Sequence, residues 1–374
     1  MTTDTIVIGA GPAGLAVAAC LRERAVPFVL LEQAERVGAS WRGHYDRLHL
    51  HTDRGHSGLP HRPMPADYPR YPSRDQVVAY LEDYAGHFDL QPRFGEPVQR
   101  AHREDGAWTA ETPESTYRAA HLVVATGHAR VPYRPTWPGQ DDYAGEVLHS
   151  SAYRDGAPYR GQRVLVVGFG NSAGEIALDL VEHGASPALA VRGPVNVIPR
   201  DLLGLPILTV AGAMSGLPPE VGDRLIAPVL RLRFGDLRRH GLRKAPYGPR
   251  TQVVRHGRIP LIDIGTVGAI QRGRIGVRPG VARFTGTGVV FDDGREEDYD
   301  AVVLGTGYRP QVADFLEAPD ALDARGAPAA SGGEPAAPGL WFCGFHISPG
   351  GMLQAIRQEA PAIADAIRSA SARA

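Results

Sequence analysis

Arg163-Val164-Leu165-Val166-Val167-Gly168-Phe169-Gly170-Asn171-Ser172-Ala173-Gly174-Glu175 is an apolar run that breaks into a Gly-x-Gly-x-x-Ala turn and continues as the start of a helix. In such a unit, the free N–H groups and positive dipole end of the helix face a dinucleotide's phosphates. Alone, the pattern is a modest signal. Its weight comes from Gly9-Ala10-Gly11-Pro12-Ala13-Gly14, where the chain has already used the same device. Two nucleotide folds imply two nucleotides. The expected class is α/β, with two Rossmann-like, three-layer dinucleotide-binding domains.

The first fold opens on Thr5-Ile6-Val7-Ile8, a short β-branched strand. Gly9 permits the tight turn, Gly11 lets backbone approach a pyrophosphate, and Gly14 lets the helix from Ala13 to Arg24 pack on the strand. Pro27 to Leu31 reads as the second strand, with Glu32 at its end. An acid there accepts hydrogen bonds from ribose hydroxyls and repels a 2′-phosphate. In the second fold the matching strand is Pro187 to Val191, followed by Arg192. A guanidinium there holds a 2′-phosphate through paired N–H bonds. This charge reversal assigns FAD to the first fold and NADPH to the second.

Between and beyond these folds the signals are coarser. Asp75 to Phe88 is expected as an amphipathic helix, and 108–111 and 116–118 as hairpin strands. Residues 121–127 read as a separate buried strand ending in Thr126-Gly127, and 300–308 repeat that pattern with Thr306-Gly307. Strands are also expected at 261–263, 289–291 and 340–344, and a terminal helix from Met352 to Ala370. Segment 201–250 reads either as an insertion walling a substrate channel or as a helical pair capping the domain. The division expected is an FAD domain of residues 1–154 and 297–374, interrupted by an NADPH domain of 155–296. His49, His51, His56 and His61 invite a metal reading, but two histidines at i, i+2 on a strand are thin evidence for one. No metal is expected.

The 374 residues have room for two cores, and a net charge of −1 gives no reason to expect a nucleic acid or an anionic membrane as partner. Lys244 is the only lysine, which reads as codon bias. Cys20 and Cys343 form no Cys-x-x-Cys, against a disulfide scaffold, zinc site or dithiol centre. The first residues are too short and polar for a signal peptide, and the apolar stretch 202–217 is broken by Pro206 and three glycines. A cytoplasmic protein is expected.

The whole chain resembles the class B flavin-dependent monooxygenases. The residues that carry this are GAGPAG at 9–14, GASWR at 38–42, YDRLHLHT at 45–52, VVGFGNSAGE at 166–175 and LGTGYRP at 304–310. The most specific is Tyr143-x-Gly145-x-x-x-His149-Ser150-x-x-Tyr153, with Tyr143 where the family signature has Phe. GNS at 170–172, VIPRD at 197–201 and GRIPLIDIGT at 257–266 make it most similar to the YUCCA-type indole-3-pyruvate monooxygenases. The resemblance implies an FAD site of Gly9, Gly11, Pro12, Ala13, Gly14, Glu32, Gln33, Ser40, Trp41, Arg42, Leu48, Thr126, Gly127, Gly344, Met352 and Leu353. It implies an NADPH site of His149, Ser150, Gly168, Gly170, Asn171, Ser172, Arg192, Thr306, Gly307 and Tyr308. One departure is that the Asn-Thr pair many members carry at the reactive flavin edge is missing. The His-rich loop from Leu48 stands there instead, which makes His51 and Thr52 the candidate flavin-edge residues.

The implied activity is oxygenation of a small organic substrate by O2 through a flavin C4a-(hydro)peroxide, as in oxidative decarboxylation of an aromatic 2-oxo acid. N- or S-oxygenation and Baeyer-Villiger oxidation are the alternatives within the family. Outside it stand a flavin-dependent NADPH reductase or oxidase and a non-catalytic NADPH-sensing flavoprotein. A disulfide reductase would need a cysteine pair at the flavin.

Overall fold

Buried Ile6, Val7 and Ile8 end strand β1 (Thr2–Ile8), and Gly9 turns the chain into α1 (Pro12–Glu23). Pro12 occupies the start of the helix, where a missing N–H removes no intrahelical bond. β2 (Phe28–Leu31) returns parallel to β1, with Ile8 opposite Leu31. α2 (Ala39–Arg42) is a single turn. α3 (Arg74–His87) starts one residue before the periodicity suggests, because Ser73 and Gln76 close a reciprocal capping box. β3 (Arg100–Glu104), β4 (Ala107–Glu111) and β5 (Thr116–Val124) complete the path β2-β1-β5-β4-β3.

The two strands expected at 116–118 and 121–127 are one. The first half of β5 alternates exposed with buried residues and pairs antiparallel with β4. Its second half is wholly buried and runs parallel to β1. The change of pattern marks a change of neighbour, since a strand covered on both faces shows no alternation.

The second sheet is built from β6 (Glu146–His149), β7 (Arg163–Val167), β8 (Ser186–Ala190), β9 (Gly276–Arg278) and β10 (Ala301–Leu304). Its order is β9-β8-β7-β10-β6, parallel throughout. α4 (Asn171–Glu182) joins β7 to β8. Segment 201–250 forms a small hairpin, α5 (Ile207–Ala213) and α6 (Pro219–Phe234). α6 buries Ile226 and Phe234 but leaves Leu225 and Leu232 exposed. The chain then returns to the first sheet, where β11 (Leu340–Phe342) pairs with β5 and α7 (Met352–Ser371) packs on α1. Arg24 of α1 forks onto Asp365 of α7 at 2.8 Å.

The structure, a computed structural model, describes residues 1–372 and divides into two compact units. One takes Met1–Arg42, Thr52–Val131 and the chain from Tyr308; the other takes Gly43–His51 and Pro132–Gly307. These boundaries depart from the expected 154/155 and 296/297. β6 and β10 share a register, Ala301 opposite Glu146, so both strands belong to the second sheet. Thr306-Gly307 therefore ends a strand of that sheet, against the reading in which the FAD half resumes near 296. Among the described residues no helix is long and apolar enough to cross a membrane.

Candidate dinucleotide sites

The two turns are built alike. The Gly9 N–H donates to the Leu31 carbonyl at 2.7 Å, and the Gly168 N–H to the Ala190 carbonyl at 3.0 Å. In both, the first glycine has positive φ, and a Cβ on it would strike the chain after the neighbouring strand: Ala125 O at 2.9 Å from Gly9, Gly305 O at 2.4 Å from Gly168. The third positions differ by an exchange. Gly14 faces Ala125, and a Cβ on Gly14 would lie 1.7 Å from Gly9 O. Ala173 faces Gly305, and a Cβ on Gly305 would lie 2.8 Å from that of Ala173. In the first unit the turn itself excludes a methyl at position 14, while in the second Ala173 carries one and Gly305 makes room for it.

In the first unit, nothing lies within 4 Å of a Cβ built on Gly11, so the turn is open where a pyrophosphate would approach. Thr126 Oγ1 is buried with no hydrogen-bond partner among the described residues, and the Gly344 Cβ position lies 2.9 Å from Ala13 Cβ. Gly9, Ala13, Gly14, Thr126 and Gly344 are thus gathered in one place. Glu32 accepts from the Ala10 N–H at 2.7 Å and the Ala34 N–H at 3.0 Å, which aims its carboxylate along the turn. These groups fit an adenosine diphosphate: open backbone, an unpartnered hydroxyl and an oriented acid. Leu353 is buried, Met352 and Gly127 are half-buried, and Gln33 and Ser40 are exposed. Trp41 and Arg42 lie on α2. Arg42 is committed to α3, pairing with Glu82 and donating to the Val37 carbonyl at 3.2 Å. Leu48 departs from expectation: it packs against the core of the second unit.

In the second unit, the space before Gly170 is open. Register places Val191 where Glu32 stands in the first, since Leu31 and Ala190 are the equivalent strand ends. Arg192 comes next and is exposed. Arg243 Nη2 donates to the Arg192 carbonyl at 2.8 Å, so a second guanidinium reaches the end of β8. Nothing local in the sequence singles out Arg243. Asn171 Oδ1 accepts from the Ile262 N–H at 2.8 Å, leaving its amide N–H groups for a ligand. Ser172 is half-buried, and Ser150 Oγ is buried without a partner. Thr306 Oγ1 donates to the Tyr133 carbonyl, and Tyr308 falls in the first unit.

His149 is buried. The Ser151 N–H donates to its Nδ1 at 3.1 Å, so the other nitrogen carries the hydrogen, and Nε2 donates to the Gly307 carbonyl at 2.9 Å. The histidine of the 143–153 signature thereby ties the end of β6 to the Thr306-Gly307 turn. Burial holds His149, His121 and His128 below the ordinary histidine value of 6.5. The unfolded chain takes up these protons first, so stability is full above about pH 6.5 and is lost as the pH falls below it. Urea midpoints are expected to drop between about pH 7 and pH 5, and a flat profile would contradict this.

The four clustered histidines go to four different partners. His49 Nδ1 lies 2.7 Å from the Arg47 carbonyl, His51 Nε2 2.7 Å from Glu175 Oε1, His56 Nδ1 2.6 Å from Asp53 Oδ2 and His61 Nε2 3.6 Å from Cys20 Sγ. Three rings thus face a carboxylate or thiol and His49 faces a backbone carbonyl, so the four converge on no common point. Thr52 Oγ1 shares a hydrogen bond with Ser57 Oγ at 2.6 Å. Cys20 and Cys343 are free and buried, and burial pushes the Cys20 thiol up to about 12. A dithiol reductase needs a thiolate that burial opposes here.

A buried acid that sequence reasoning missed is Glu359 of α7, which accepts from the Gly344 N–H at 2.8 Å and so shapes the turn packed on Ala13. Its helix was legible, but a lone acid on an apolar helix face carries no signal of its partner.

The protein family that matches residues 6–200 is described as pyridine nucleotide-disulphide oxidoreductase. The chain is 40% identical over 329 residues to a probable indole-3-pyruvate monooxygenase, YUCCA1, of Arabidopsis thaliana, spanning 86% of this chain and 80% of the relative. It is 42% identical over 317 residues to the indole-3-pyruvate monooxygenase YUCCA1 of Oryza sativa subsp. japonica, spanning 83% and 78%. Among solved structures, a flavin monooxygenase from Stenotrophomonas maltophilia superposes with a TM-score of 0.75 at 26% identity, covering 100% of this chain and 99% of that one. With two nucleotide turns of unlike charge and no dithiol, the chain belongs to the flavin-dependent monooxygenases of the YUCCA type, enzymes of FAD and NADPH.

Proposed function

We propose that this monooxygenase acts on an aromatic 2-oxo acid such as indole-3-pyruvate. One atom of O2 enters the carboxylic acid product, the other leaves as water, and CO2 is released as NADPH is oxidised. The observation that carries this reading is the 40–42% identity, over more than four fifths of the chain, to relatives named for that substrate. When bound, NADPH supplies a hydride and FAD accepts it and activates dioxygen.

The chain's own part is binding, orientation and exclusion of water. Gly11 and Gly170 expose backbone to the two pyrophosphates, and Glu32 takes the ribose hydroxyls of FAD. Arg192 takes the 2′-phosphate of NADPH. His149 keeps the Thr306-Gly307 turn in place as a neutral hydrogen-bond donor and moves no proton. Thr52, and not the Asn-Thr pair of many family members, supplies the hydroxyl near the flavin edge.

The test is isotope-labelled dioxygen with indole-3-pyruvate and NADPH. Label is expected in the acid product, one CO2 per NADPH. Label arriving only from water would remove the oxygenase reading. Hydrogen peroxide released in step with NADPH, with no product, would leave the oxygenase and remove the substrate; amine and sulfide substrates then become the ones to try.

A further inference from the structure

Glu175 of α4 is a buried acid without a stated task. It is 2% exposed, and among the described residues neither of its oxygens takes a hydrogen bond. It lies four residues past Asn171, about 6 Å along the axis from the helix start at 1.5 Å per residue. That start is the turn read above as the site of the NADPH phosphates. An uncompensated carboxylate there is costly to bury and repels the phosphates above it.

The group against Glu175 is His51, with Nε2 2.7 Å from Oε1 but off the line of a hydrogen bond. His51 arrives on segment 43–51, which runs along α4. Tyr45 and Leu48 share a core with Ile176 and Leu180, and Arg47 pairs with Glu182. Glu175 and Glu182 stand seven residues apart on one helix face. The other acids nearby are committed elsewhere. Asp179 accepts from Tyr153 Oη at 2.7 Å, Glu182 holds Arg47, and Asp263 accepts the Val267 N–H at 2.9 Å. His51 thus faces Glu175 with no second acid competing for it.

We propose that His51 is a positioning residue for the second nucleotide turn, partnering the buried carboxyl group of Glu175 so that the turn accepts dinucleotide phosphates. The proposal rests on the reading of that turn as the NADPH site. It concerns the pyrophosphate, so it bears on NADP+ and NAD+ alike, unlike the task given to Arg192.

The experiment is a double-substitution cycle on FAD-loaded protein, reading the dissociation constants of NADP+ and NAD+ by calorimetry. His51→Asn is expected to raise both constants by about tenfold. Glu175→Gln leaves them level or tighter, and the double variant returns to within about twofold of wild type. Rescue is the decisive sign, because a strap held only by contact would be weakened by both losses. The inference is overturned if folded His51→Asn binds both as wild type does, or if the double variant does not recover. Should His51→Asn fail to fold, Glu175→Gln decides alone, since weaker binding by it overturns the inference. Wild-type protein that binds neither dinucleotide would instead overturn the reading of the turn.

Discussion

Arg192→Ala is expected to raise the KM for NADPH by about 10- to 100-fold while changing the KM for NADH little, the loss of a charge-assisted hydrogen-bonded pair to a phosphate. The argument rests on register. Val191, not an acid, occupies the place of Glu32. Arg192 follows on an exposed turn, and Arg243 is anchored to its carbonyl. A single neutral substitution leaves Arg243 in place, which keeps the expected loss below what removing both would give. Steady-state kinetics with each nicotinamide cofactor measure it. Equal effects on NADPH and NADH would show that Arg192 does not read the phosphate.

The second large effect is Gly14→Ala, which should yield protein without yellow colour. The new methyl would stand 1.7 Å from the Gly9 carbonyl oxygen, a backbone atom held by the turn itself. Relief requires α1 to move off β1, at about 1–3 kcal/mol for such overpacking, which is about 10- to 100-fold in FAD affinity if the turn bears the shift. Gly11→Ala is the control. Its Cβ meets nothing within 4 Å, so the FAD-free variant should melt as FAD-free wild type does while FAD binding is lost, because the methyl fills only the space that a phosphate needs. Flavin absorbance per chain and thermal unfolding separate the two. Retention of FAD by both variants would remove the first turn as its site.

Much of this architecture was legible in local sequence. The glycine spacing at 9–14 and 168–173 reports a backbone requirement of strand, turn and helix that needs no distant partner. The acid at 32 and the base at 192 stand at strand ends, where position alone gives a charge its meaning. Helix α3 was legible from periodicity, and its start only from the Ser73–Gln76 box. The pairing of Glu175 with His51 was not legible, because a buried acid in a helix looks in sequence like any other acid. Nor was the cradle of Glu359 under Gly344, which joins the last helix to the first turn through one side chain.

By itself the sequence determined the two glycine turns, each between a strand and a helix, because those features are local and steric. Only the tertiary structure decided which sheet owns residues 146–149 and 301–304. Buried apolar strands look alike whichever neighbour they pair with, and ownership is set by hydrogen-bond register across long separations.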